Sequence, residues 1–97
     1  MMEIICINNT FSQEILEIYK EFNVTIPELN EIYSIRRIRN ERGTIGFLLN
    51  ELVNPDVPII SPISGNVTWI EPSWKHSRFT TLTGQKIEIE ETNYEVV

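Results

Sequence analysis

Apolar residues fall along this chain in two rhythms. Between residues 11 and 22 they recur at helical spacing; elsewhere they alternate or cluster in short runs cut by proline, glycine and asparagine. The run from Met1 to Ile7 is rich in isoleucine and predicts a buried first strand. Thr10 and Gln13 have the spacing of a capping box. Phe11, Ile15, Ile18, Tyr19 and Phe22 then share one face, with Gln13, Glu14, Glu17, Lys20 and Glu21 on the other, which predicts a helix over 11–22.

From Glu31 to Glu51 the period changes to that of a hairpin. Tyr33 and Ile35 share a face with Ser34 and Arg36 opposite. Ile38 breaks the alternation, and a β-bulge at Arg36–Arg37 would return it to the core side. Asn40 to Gly43 supplies the turn. The return strand, Thr44 to Leu52, is apolar on both faces and so predicts a central position. Pro55, Pro58 and Pro62 stiffen the next connector, in which Ile59-Ile60 suggests a short edge strand. Val67–Ile70 reads as a strand and Ser73–Ser77 as a single helical turn. Residues 78–82 and 86–90 read as further strands, and the tail 91–97 is expected to fray.

One early helix and five or six short strands predict a single α+β domain over residues 1–97, built on a small, strongly curved antiparallel β-barrel. A flatter sheet with the helix across one face is the alternative. Val67, Trp69, Phe47, Ile35 and Tyr33 are the expected core. The single cysteine, Cys6, excludes an intramolecular disulfide and reads as a small buried residue. No basic leader followed by an apolar stretch and no run of membrane-spanning length is seen, so a cytoplasmic address is the expectation.

Charge changes this picture at one place. The net charge is −6, yet Arg36, Arg37, Arg39 and Arg42 cluster at the hairpin tip. Acidic bulk opposes general nucleic-acid binding. A local arginine tip suits a phosphate or an acidic protein, and it equally suits a solvated turn that guards a hairpin. His76 stands alone, without a second histidine for a metal or an acid to orient it, and no nucleophile–base pair can be named. Glu88, Glu90, Glu91 and Glu95 read as a solvated face rather than a cation site, so no metal and no cofactor is expected.

Four separated pieces carry a family likeness: Ile4-Ile5-Cys6-Ile7-Asn8, Asn30-Glu31-Ile32-Tyr33-Ser34-Ile35, Gly46-Phe47-Leu48-Leu49-Asn50-Glu51 and Ser77-Arg78-Phe79-Thr80-Thr81-Leu82. In this order the chain resembles small uncharacterised bacterial and phage-associated proteins with SH3-like barrels. It departs from them in having Asn30 where glycine is usual, in the helix of residues 11–22, and in the proline-rich segment before Val67. The resemblance implies an SH3-like barrel, a phage or mobile-element context and no particular chemistry. It also implies that Phe79 plugs the barrel end while Arg78 pairs with Glu51 or Glu31. Barrels of this type that bind proline-rich peptides use aromatic grooves. Trp74, with Tyr33 or Tyr94, would form one here, and packing at an open barrel end is the plain alternative.

These observations favour a small non-enzymatic interaction module, a monomer or weak homodimer. It would meet another protein through Arg36, Arg37, Arg39 and Arg42 or through the surface around Trp74. The rivals are a nucleic-acid-associated barrel using the same arginines and an acidic inhibitor that imitates nucleic acid.

Overall fold

The structure, a computed structural model, describes residues 2–41, 43–61, 63–89 and 95–96. Arg42, Glu90, Glu91 and Tyr94 lie outside the described residues, as do most of the tail and the side chain of Glu95. The elements run β1 (Glu3–Cys6), α1 (Gln13–Glu21), β2 (Ile32–Glu41), β3 (Thr44–Leu49), β4 (Val57–Ile60), β5 (Val67–Ile70), β6 (Trp74–Lys75), a 3₁₀ turn (His76–Arg78), β7 (Phe79–Thr81) and β8 (Glu95–Val96). The result is a compact α+β fold with one helix and a largely antiparallel sheet.

The main sheet has the order β6-β3-β2-β1-β7, and β8 runs parallel to β2 beside Arg39 and Asn40. Within the tail 91–97, Glu95 and Val96 are described and pair with β2; the rest of it lies outside the described residues. β2 is long enough to serve three neighbours: its first half pairs with β1, its second half pairs with β3, and Arg39–Asn40 in that second half also pair with β8. The register slips between Ile35 and Arg37, at the position where the broken alternation demanded a bulge. After the slip Ile38 packs against the core again. The path stays open. β6 and β7 end it and are joined through the 3₁₀ turn, without pairing to each other among the described residues.

The core is the shared inner face of these strands: Ile4, Cys6, Tyr33, Ile35, Phe47, Leu49, Trp74, Phe79 and Ile87. Burying apolar surface at about 25 cal/mol per Å² makes this layer the main source of stability. β3 is buried on both sides from Gly46 to Leu49 and is central, as its two-faced pattern required. Of the expected strand at 86–90, the structure shows one bridge, Thr80 to Lys86, with Ile87 buried beside it.

The helix is shorter than its pattern. It spans Gln13–Glu21 and is capped by Ser12, whose hydroxyl accepts the Ile15 amide at 3.3 Å. Thr10 is no cap: its own amide donates to the Asn8 side chain at 2.9 Å, which holds it in the preceding turn. The apolar face divides. Phe11 and Tyr19 reach the core cluster, whereas Ile15 and Ile18 stay exposed.

β4 and β5 form a separate two-stranded ribbon with no other strand on either edge among the described residues. This places Val67 and Trp69, 54% and 58% exposed, outside the core for which their alternation qualified them. Alternation shows that a strand has an apolar side, not which surface covers it.

Candidate interaction surface

The arm of residues 57–70 is built from local rules. Val57 faces Ile70, Pro58 faces Trp69, Ile59 faces Thr68 and Ile60 faces Val67. Directly paired residues share a face. One face therefore carries Pro58, Trp69, Ile60 and Val67; the other carries Val57, Ile70, Ile59 and Thr68. At the tip, the Ser61 carbonyl accepts the Gly65 amide at 2.9 Å and the Ser61 amide donates to Asn66 at 2.9 Å. Gly65 takes the positive φ of 72° that this turn needs. Ile63 stands out beside it, 91% exposed.

The first face is apolar and stands open to solvent. Ile60 is 67% exposed, and Val67 and Trp69 lie more than half in solvent. Trp69 meets Phe22 edge-on at 5.8 Å between ring centres, which joins the arm to the helix end. Ile15, Ile18 and Phe22 are spaced i, i+3 and i+7, so they continue the same strip along α1. No residue from Val57 to Ile70 is charged. The opposite face, with Glu41, Ser61, Ser64 and Asn66, borders a trough of about 540 Å³.

A polar clamp fixes the arm at its root. Arg36 Nη2 donates to both Glu71 carboxylate oxygens, at 2.9 and 2.7 Å, and Arg36 Nε donates to the Leu49 carbonyl at 3.1 Å. Glu71 also accepts the Asn54 amide at 2.9 Å. The buried Asn54 side chain then accepts the Thr25 amide and donates to the Thr25 carbonyl, at 2.8 and 3.0 Å. Arg39 is buried; its Nη1 donates to the Glu71 carbonyl at 2.8 Å and lies 3.4 Å from Glu41.

This removes Arg36 and Arg39 from the expected arginine array. Arg36 and Arg39 face inward on Glu71, because a strand that carries a bulge sends them to the side where the connector returns. Arg37 alone among the described tip arginines is exposed. Trp74 as a binding residue is likewise corrected. It is 1% exposed and makes T-shaped contacts with Phe11 and Tyr19 at 5.9 and 5.8 Å, the packing that holds α1 to β6. Tyr33, its suggested groove partner, is buried too, its hydroxyl accepting the Glu28 amide at 2.8 Å.

The ion pair of Arg78 with Glu51 is not formed. Arg78 lies 3.8 Å over the Phe11 ring and donates to the Thr10 carbonyl at 2.8 Å and to Asn8 Oδ1 at 3.1 Å. Glu51 instead accepts the Ser34 amide at 2.8 Å and the Ser34 hydroxyl at 2.6 Å. Those two donors stabilise the charged form and lower its pKa below the ordinary glutamate value. Glu31 enters the fold through its backbone carbonyl, which accepts the Cys6 amide at 3.1 Å. Phe79 is buried against Phe47.

Burial raises the pKa of Cys6, so the thiol stays protonated in the core. His76 Nδ1 sits 3.2 Å from the Ile45 carbonyl, which can only accept, so this nitrogen carries the proton. A shallow hollow of about 360 Å³ opens beside it, lined also by Ser77 and Lys86. Among the described residues no three metal-ligating side chains come together, and no helix is long and apolar enough to cross a membrane.

The sequence missed the arm as a surface. Its signals were the uncharged stretch, the flanking prolines and the isoleucines, all read as connector and core. No family model, no curated protein and no solved structure matches the chain.

Proposed function

We propose that this chain is a small non-enzymatic interaction module that binds another protein through the outer face of the β4–β5 arm and the adjoining side of α1. The observation that carries the reading is Trp69 with Ile60 and Val67. These large apolar side chains stand in solvent on a ribbon that the Arg36–Glu71–Asn54 clamp holds in place. Contiguous apolar exposure on a small protein marks an interaction site, and tryptophan is among the residues that dominate interface energetics. Arg36 and Arg39 are engaged inside the fold, which takes two of its four arginines from the nucleic-acid reading.

The same reading takes the main sheet as an SH3-like barrel left open between β6 and β7. Support comes from β2 serving two half-sheets across a bulge and from the 3₁₀ turn that links the two end strands.

The test is affinity capture from native lysate, with and without nuclease. The baits are the wild type, an Ile60→Glu/Trp69→Glu variant and an Arg37→Glu variant. The reading expects one protein that survives nuclease, is retained by Arg37→Glu and is lost from the arm variant. Capture unchanged by the arm variant contradicts it.

A further inference from the structure

Hydrogen bonding along the arm has a definite phase. Ser61 and Asn66 are a hydrogen-bonded pair, through the Ser61 amide. In an antiparallel ribbon such pairs alternate with pairs that are not bonded. Ile59 with Thr68 and Val57 with Ile70 are therefore bonded, while Ile60 with Val67 and Pro58 with Trp69 are not. The backbone N–H and C=O of Val67 and Trp69 point away from β4, along the free edge of β5. On the other edge the corresponding groups belong to Pro58 and Ile60, and proline has no N–H to give. The two edges thus differ: β4 is blocked by Pro58, and β5 offers two complete donor–acceptor sets.

We infer that the free edge of β5 pairs antiparallel with the β5 of a second copy of this chain, about a two-fold axis at Thr68. This rests on the arm being an interaction surface and names one occupant of its edge. Three observations favour a copy. First, the edge is self-complementary. With the axis at Thr68, Val67 faces Trp69 of the second copy and Trp69 faces Val67, so all outward groups of both strands are bonded. Second, the charge pattern permits it. Val57 to Ile70 carries no charge, and Glu71 falls opposite Gly65 of the second copy rather than another acid. An unguarded neutral edge is what monomeric proteins avoid. Third, a two-stranded ribbon is marginal alone and gains stability from further strands. The joined ribbons carry Pro58, Trp69, Ile60 and Val67 of both copies on one continuous face, an isologous arrangement.

The experiment combines association with a register test. Wild type, Val67→Pro and Ile60→Lys are compared by light scattering up to about 1 mM, a range that detects weak pairing. Val67→Pro removes an outward N–H without touching the β4 ladder and is expected to weaken the dimer by at least about tenfold. Ile60→Lys, on the far strand, is expected to retain it. Thr68→Cys and Asn66→Cys are then oxidised separately with diamide. Thr68 meets its own copy in a non-bonded pair with Cα atoms about 4.5 Å apart, within disulfide reach, whereas Asn66 faces Ile70. A covalent dimer from Thr68→Cys alone is the expected result. The cysteine variants leave the backbone intact, so this arm stands even where Val67→Pro fails to fold. Wild type that stays monomeric throughout overturns the inference but leaves protein binding by the arm, which the capture experiment tests separately. A dimer that survives Val67→Pro, or that cross-links equally from Asn66→Cys, overturns it too, since it uses another surface.

Discussion

Arg36 and Glu71, thirty-five positions apart in the chain, meet through two hydrogen bonds from one guanidinium nitrogen, the shorter 2.7 Å. Glu71 immediately follows β5 and Arg36 sits at the bulge of β2, so this pair fixes the arm to the sheet. Arg36→Ala leaves a mostly buried carboxylate without its cation, and removing one partner of a buried pair costs about 3–5 kcal/mol; the partial exposure of this pair puts the expected loss at the lower end. Urea unfolding measures that loss. Amide exchange adds a second readout: protection should fall first in residues 57–70.

The two tryptophans have opposite roles. Trp74→Ala empties a fully buried site and should cost about 3–5 kcal/mol. Trp69→Ala, more than half in solvent, should cost about 1 kcal/mol or less while abolishing capture of the partner. Thermal melts and pull-downs on both variants check this reversal of roles.

Arg78 ties the turn before α1 to the core through Thr10, Asn8 and the Phe11 ring. Arg78→Ala should lose about 1.5–3 kcal/mol, the worth of hydrogen bonds from a charged group. Arg78→Lys should recover only part of it, since a lysine cannot present the planar fork. NMR shifts in residues 8–12 should move in both variants. In Glu51→Gln the same residues should stay in place, which separates this role from the ion pair the sequence suggested.

Glu51 makes stability depend on acid pH with a definite sign. Its folded pKa lies below the ordinary value because Ser34 donates twice to the carboxylate. A depressed folded pKa gives stability that is present above the unfolded value and lost as pH falls through the folded one. The group is almost fully exposed, so the contribution is small. Carboxyl NMR titration should place Glu51 below the ordinary glutamate value, and Glu51→Gln should flatten the acid limb of a stability profile.

Gly46 faces the returning chain before β6. A Cβ there would collide with the Ser73 hydroxyl and come within 2.9 Å of Ser73 Cβ. Gly46→Ala should therefore destabilise by about 1–3 kcal/mol, with Ser73→Gly restoring part of the loss in a double-variant melt.

What was legible in the sequence follows from what local pattern encodes. The bulge after Ile35, the central β3 and the buried Cys6 were all readable, because side-chain period and backbone phase are local. The sites were not. Whether Arg36 reaches solvent depends on where the chain returns after Pro55, a long-range fact that no residue near Arg36 records. Trp69 alternates with apolar neighbours whereas Trp74 stands between Ser73 and Lys75, so local pattern favours the wrong tryptophan for the core; the placement of β4–β5 off the sheet decides which one is buried. Arg78 and Glu51 both found closer partners, Thr10 and Ser34, which charge pairing alone does not consider.

The most direct test of the central claim is site-specific photo-cross-linking in native lysate. A photoreactive residue at Ile60, on the exposed arm face, is compared with one at Leu82, in the turn after β7. The account predicts an adduct with a distinct protein from position 60 and none from position 82. Equal adducts from both positions, or none from position 60, would contradict it.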